Sequence, residues 1–267
     1  LASGKITGWD QTRRGCWGGC RGGTGAERFG HRMGGYSGFM RIVSLLPSAT
    51  EIVALLGAGD SLVGRSHECD WPVEVVRDVP ALTASNIGAS KEPTPSDPRM
   101  TPGTSAEIDG WVGRALEGGG SLYRLDSEWL RQLAPDVIIT QSLCSVCSID
   151  ADAVRAAAAD IPGGCRVVNL NAASFEDVFD DIARVGEAIG RQAQARERLA
   201  GLRERFFRVS DHVNAFADPV PTLFLEWTDP MFVAGHWTAQ MVERAGGVCP
   251  LTPTRAMPGA GAGAGGQ

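Results

Sequence analysis

A chain of 267 residues, 43% apolar and 21% charged, can bury a sizeable core, and two lobes are a reasonable expectation at this length. Its net charge of -6 and pI near 5.3 argue against nucleic acid or an anionic membrane as the main partner, and no apolar run approaches the roughly 18 residues of a membrane span. Seven cysteines, an odd number in a chain too long to depend on disulfides, suit a reducing compartment.

Residues 1–39 are rich in glycine and arginine, hold only scattered apolar residues, and read as a disordered leader that is not native. They lack the apolar core of a signal peptide. As written, the chain is therefore expected in the cytoplasm, and in the periplasm or at the cell surface if the true N-terminus differs. Met40 stands directly before a strand pattern and is expected to be the biological start.

From there the pattern is α/β. Arg41 to Leu46 reads as a buried parallel strand, and Pro47, Ser48 and Thr50 lead into a helix from Glu51 to Leu56. Leu62 to Gly64 reads as a second strand, ending in the polar and aromatic loop Arg65-Ser-His-Glu-Cys-Asp-Trp-Pro72. Residues 83–120, with Pro93, Pro95, Pro98 and Pro102, read as a surface insertion carrying a helix from Ser105 to Leu116. A helix from Asp126 to Leu133 and the turn Pro135-Asp136 precede the strand Val137 to Thr140, whose carboxyl end leads to Gln141 and Cys144-Ser-Val-Cys147. A helix from Asp150 to Ala159 and a strand from Arg166 to Leu170 complete a first lobe over residues 40–173.

Residues 174–213 carry Phe175, Val178, Phe179, Ile182, Val185, Ile189, Leu199, Leu202 and Phe206 mostly at steps of three or four. The spacing predicts one long bridging helix capped by Ser174. The alternation then resumes over 214–251 as a partial second lobe: a strand from Thr222 to Glu226, the loop Trp227 to Pro230, a strand from Met231 to Val233 and a helix from Thr238 to Ala245. Residues 252–267 read as a disordered low-complexity tail. Ligands of open α/β sheets bind beyond the carboxyl ends of parallel strands, so a cleft lined by the loops after Gly64, Thr140 and Glu226 is the expected site. His236 and Trp237, ahead of a helix, are expected to close it from the second lobe.

The segments Arg41-Ile-Val-Ser-Leu-Leu-Pro-Ser-Ala-Thr-Glu51, Gly64 to Pro72, Leu133-Ala-Pro-Asp-Val-Ile-Ile139 and Leu223-Phe-Leu-Glu-Trp227, with Ala245-Gly-Gly247, resemble in content and order the class III substrate-binding proteins of ABC importers. Within that family the chain looks most like the vitamin B12-binding proteins, in the fold family that also takes iron siderophores. The resemblance implies two Rossmann-like lobes with parallel sheets bridged by one long helix, little hinge motion, no enzymatic activity, and cobalamin or a related corrinoid held in the cleft by aromatic side chains. Glu68, Gln141 and Trp227 match positions of aromatic ligand contacts; of these only Trp227 is aromatic, and Trp71 offers a flat surface nearby. Glu128 matches the acidic residue that docks the first lobe onto an ABC permease. The family's second lobe continues well beyond Gly247, so a truncated second lobe is expected here.

The cysteines support a second reading. Cys144 and Cys147 have metal-ligand or redox spacing, and His67 and Cys69 lie in a loop expected to face them. These four side chains suit zinc, in a metal-dependent or thiol enzyme on the same scaffold, or His67 serves as a ligand to the cobalt of a corrinoid. The adjacent Ser66, His67 and Glu68 do not form a catalytic triad, because neighbours in a loop rarely face one another and no nucleophile elbow is present.

Overall fold

A computed structural model of the chain describes residues 40–86, 104–117, 121–142, 149, 151–214, 216–235 and 237–252. The expected leader at 1–39, most of the expected tail, the proline-rich stretch, Cys144, Cys147 and His236 therefore lie outside the described residues.

The chain alternates strand and helix from its first described element: β1 (Ile42–Ser44), α1 (Pro47–Leu55), β2 (Leu62–Arg65), α2 (Val73–Val76), β3 (Thr83–Ser85), α3 (Ser105–Glu117), β4 (Tyr123–Leu125), α4 (Ser127–Leu133), β5 (Val137–Thr140), α5 (Ala151–Ala159) and β6 (Arg166–Asn169). The helix after β1 starts at Pro47 rather than at Glu51, because proline at the first helical position has its φ preset and needs no donor there. Four parallel strands form one sheet in the order β2-β1-β5-β6. All of β1 and β5 is buried, as expected of central strands covered on both sides. Their alternating side chains divide the core in two. Ile42, Val137, Ile139 and Val168 pack under α1, whereas Val43, Leu45 and Ile138 pack under α4 and α5.

This division fixes where a ligand can sit. The β1 to β2 crossover runs through α1 on one side of the sheet, and the β5 to β6 crossover runs through α5 on the other. The chain therefore reverses its winding between β1 and β5, which opens a crevice at their carboxyl ends. Arg41 ties the opposite end together: its N–H donates to the Asp136 carboxylate at 2.7 Å and its Nε to the Leu133 carbonyl at 2.8 Å.

The segment expected as one bridging helix is two, α6 (Phe175–Ala188) and α7 (Gln192–Ser210). The start is as expected: Ser174 and Asp177 form a reciprocal capping box. The end is not, because Gly190 takes a left-handed conformation at φ 69°. Arg191 N–H donates to the Gly186 carbonyl at 2.6 Å and Gly190 N–H to the Glu187 carbonyl at 3.4 Å, the paired bonds of a Schellman stop. Phe175 and Phe206 stack with ring centroids 4.4 Å apart, whereas in one straight helix they would be separated by roughly 46 Å. The two helices therefore run back along each other, and the stripe of apolar residues closes on itself and on α1.

Within α6, Asp181 is 5% exposed and its carboxylate accepts from Arg184 Nη1 at 2.7 Å. Burial pushes its carboxyl up from 3.8 to about 6, against the opposing pull of Arg184. The folded state thus holds the Asp181 proton more tightly than the unfolded chain. Stability from this group is fully present below pH about 4 and is lost as pH rises through about 6, by roughly 2 to 3 kcal/mol. Urea unfolding at pH 5 and pH 7 should show wild type losing stability relative to Asp181→Asn over that interval; parallel profiles would refute it.

The remaining elements are β7 (Val220–Pro221), β8 (Leu225–Thr228), β9 (Met231–Val233), α8 (Thr238–Arg244) and β10 (Gly247–Val248). They form a parallel pair, β7 with β10, and an antiparallel ribbon, β8 with β9. α8 fastens this part to the helix pair. Phe175 N–H donates to Gln240 Oε1 at 2.8 Å, Arg244 lies 3.5 Å from the Glu176 carboxylate, and its guanidinium sits 5.3 Å over the Phe206 ring.

Candidate functional site

The loop after β2 meets the carboxyl end of β1. Ser66 N–H donates to the Ser44 carbonyl at 2.8 Å, and the chain then turns sharply enough for Cys69 N–H to donate back to the Ser66 carbonyl at 3.1 Å. His67 and Cys69 consequently face different partners. Cys69 is fully buried with Sγ 3.8 Å from the Ser44 carbonyl. Burial pushes its thiol up, only partly offset by hydrogen bonds and by Arg65, so it stays protonated at neutral pH.

His67 turns the other way, to β3. Its backbone N–H donates to Thr83 Oγ1 at 3.0 Å, and its Nδ1 lies 2.7 Å from the same oxygen. Thr83 in turn donates to Ser66 Oγ at 3.1 Å. The ring leans against Tyr123 with centroids 5.6 Å apart. Its Nε2 lies 3.1 Å from a Glu68 carboxylate oxygen but makes no hydrogen bond. Among the described residues no three of His, Cys, Asp and Glu gather closely enough to hold a metal ion. Of the expected zinc set only His67 and Cys69 are described, and they point apart.

These contacts shape a shallow cavity of about 20 Å³ lined by Leu45, Pro47, Ser66, Glu68, Thr83, Tyr123 and Ile149. It sits at the crevice that the sheet order dictates. Glu68 is among the residues that line it. Trp71 lies further along the same loop, 58% exposed. Gln141 is half-buried at the end of β5, and the following Ser142 is pinned by Asn171, whose Oδ1 accepts its N–H at 2.9 Å. Two buried polar atoms near this sheet edge, Thr140 Oγ1 and Asn169 Oδ1, make no hydrogen bond and sit opposite each other in register. Groups of this kind in native proteins are met by ordered water or ligand.

Sequence reasoning misses Tyr123 and Thr83 as site residues. β3 and β4 pair antiparallel and bring both to the cavity. The available signal is the alternation Tyr123, Arg124 and Leu125 after a glycine run, which is too short to read alone.

The second-lobe residues are placed differently. Trp227 is half-buried, and its indole N–H is shared between the carbonyls of Ser105 at 3.3 Å and Asp229 at 3.1 Å. It joins β8 to the start of α3. Trp237 meets the edge of Phe175 at 6.1 Å. A larger cavity of about 170 Å³ lies beside it, floored by the stacked Phe175 and Phe206 and rimmed by Glu176, Gln240, Glu243 and Arg244. It belongs to the junction of α6, α7 and α8 rather than to the strand ends. Glu128 is exposed in the first turn of α4, paired with Arg131 at 2.7 Å and accepting from Gln132 at 3.2 Å. No helix among the described residues is long and apolar enough to cross a membrane.

Comparison with known proteins gives one family. The profile of the periplasmic binding proteins matches residues 42–255. Among solved structures, a possible iron-binding periplasmic solute-binding protein of Staphylococcus epidermidis is similar at 21% identity and TM-score 0.55, over 78% of this chain and 66% of its own. The periplasmic vitamin B12 binding protein of Vibrio cholerae is similar at 16% identity and TM-score 0.55, over 81% and 68%. The periplasmic heme binding protein of the same organism is similar at 17% identity and TM-score 0.56, over 82% and 68%. At these identities the likeness is one of fold. The chain spans about two thirds of the length of each of these structures. No curated protein sequence matches it.

Proposed function

Because the chain belongs to the periplasmic binding protein family, which its profile matches over residues 42–255, we propose that it is the solute-binding component of an ABC importer and that it holds cobalamin or a related corrinoid at the carboxyl ends of β1, β2 and β5. The observation that carries this reading is the cavity between Leu45, Glu68 and Tyr123 at the crevice where the sheet reverses its winding. Tyr123 and Trp71 offer aromatic faces to a large planar ligand, and such faces contribute area and orientation at little entropic cost. Structures of similar fold include binders of vitamin B12 and heme and a possible iron binder, and the motif order of the sequence favours the first of these. Glu128 is the proposed contact with the permease, its carboxylate exchanging Arg131 for an arginine of the partner. This role implies a location on the outer side of the membrane, the second of the two expected.

Saturable quenching of tryptophan fluorescence by cyanocobalamin or cobinamide is the expected result, with inner-filter absorption subtracted against free tryptophan. Tyr123→Ala should weaken it by on the order of tenfold to a few hundredfold, the worth of one buried aromatic. Binding of hemin or a ferric siderophore without any corrinoid binding would remove the corrinoid assignment. A folded protein that takes none of the three would remove the solute reading at this cavity.

A further inference from the structure

The cavity at the junction of α6, α7 and α8 has a chemistry of its own. Phe175 and Glu176 come from the first turn of α6 and Phe206 from the C-terminal part of α7, while Gln240, Glu243 and Arg244 share one face of α8 at steps of three and four. Together they enclose about 170 Å³. A cavity of about 150 Å³ is enough to take benzene, whereas a corrin or a heme needs far more room. Both phenylalanine rings are only half-buried although they stack on each other, so part of their apolar surface borders the cavity. The polar groups around them are underused. Gln240 spends its Oε1 on the Phe175 N–H, and its two amide N–H donors have no partner among the described residues. Arg244 has five donors, and its ion pair with Glu176 is 3.5 Å long, beyond ordinary hydrogen-bond length. Among the described residues Glu243 has neither an ion pair nor a hydrogen bond.

Both signs of charge therefore stand in one small space over an apolar floor. Two carboxylates against one guanidinium leave the rim at -1, which disfavours a purely anionic ligand. A simple organic cation is disfavoured too, because Arg244 already holds the place over the Phe206 ring. A ligand with an ammonium, a carboxylate and an apolar group meets every part of the lining. We propose that this cavity is a second binding site, for a free α-amino acid with an aromatic or aliphatic side chain. Its carboxylate takes Arg244 and the Gln240 amide, its ammonium lies between Glu176 and Glu243, and its side chain packs against Phe175 and Phe206. Occupancy joins α8 to both other helices. The site is independent of which solute the cavity near Glu68 takes.

The test uses L-phenylalanine on the full chain, read by saturation-transfer NMR. Saturable binding is expected with a dissociation constant on the order of 1 mM, the affinity of about a dozen atoms at ordinary ligand efficiency. Phenethylamine lacks the carboxylate and 3-phenylpropionate lacks the ammonium. Each should bind about tenfold more weakly, the worth of one charge-assisted hydrogen bond. Arg244→Met should bring L-phenylalanine down to the level of phenethylamine and leave phenethylamine itself unchanged, and Glu243→Gln should narrow the gap between L-phenylalanine and 3-phenylpropionate. Both side chains are exposed, so circular dichroism should match wild type, and the comparison of the three probes on wild type stands without either variant. Tyr123→Ala, at the other cavity, should change none of these values. Absence of saturable L-phenylalanine binding up to about 20 mM overturns the proposal. Equal affinity for the three probes also overturns it, because the apolar floor alone would then account for binding. Unchanged discrimination in a folded Arg244→Met overturns the placement of the carboxylate, and loss of L-phenylalanine binding in Tyr123→Ala overturns the site in favour of the crevice near Glu68.

Discussion

Gly186→Ala is expected to destabilise the protein by about 1 to 3 kcal/mol, the usual cost of forcing a methyl into a filled contact. A Cβ at this position would lie 2.5 Å from Ala195 Cβ and 3.3 Å from the Arg191 carbonyl oxygen. Neither neighbour can yield easily, since Ala195 is 2% exposed with no side chain to rotate and Arg191 contributes backbone. The sign is the diagnostic. In an uninterrupted helix the same change would stabilise by about 1 kcal/mol, because alanine outranks glycine in helical propensity. Ala195→Gly in the same chain should return much of the loss by removing the facing methyl. Urea unfolding of the single and double variants reads both terms, and a gain in stability for Gly186→Ala would restore the continuous helix.

That contact also shows what an apolar stripe can and cannot say. Phe175, Phe179, Ile182, Val185, Leu199 and Phe206 have the spacing of one helical face whether the chain runs straight or folds back, since both arrangements bury one stripe. The deciding residue is Gly190, whose left-handed backbone ends α6. The single bridging helix therefore gives way to two, while the burial of its face stands.

The sheet was easier to read. β1 and β5 are apolar up to their last residues, Ser44 and Thr140, and enclosed on both sides, so composition marks them, and the capping box at Ser174 is visible in the spacing of serine and aspartate. β4 is not visible, because three residues with Arg124 exposed gain meaning only from pairing with β3 across the whole excursion between them. The site divides in the same manner. The loop with Glu68 and Trp71 follows from a strand end and is legible, whereas the tie from Trp227 to the Ser105 carbonyl joins residues 122 apart in sequence and leaves no local trace. Cys69 illustrates the opposite error. Its proximity to His67 in sequence suggests a shared ligand, but a tight turn sends one side chain into the core and the other to β3.

Thr83→Val should be the more damaging change at the cavity itself, costing about 2 to 4 kcal/mol. Thr83 is 8% exposed, and its hydroxyl serves His67 N–H, His67 Nδ1 and Ser66 Oγ, each within 3.1 Å. Valine has nearly the same shape, so packing is kept and the loss comes from buried polar groups left without partners, each worth on the order of 1 to 3 kcal/mol. Thr83→Ser keeps the hydroxyl and removes only a methyl, for about 1 kcal/mol. The pair separates hydrogen bonding from volume. The same hub holds the Glu68 loop against the strand that carries Tyr123, and both residues line the cavity. At a temperature where all three proteins are folded, Thr83→Val should therefore also weaken solute binding, by roughly tenfold for each 1.4 kcal/mol of lost preorganisation, while Thr83→Ser binds nearly as wild type. Equal losses in the two variants, in stability and in binding alike, would mean that the threonine fills space and that the hydroxyl network does not set the geometry of the cavity.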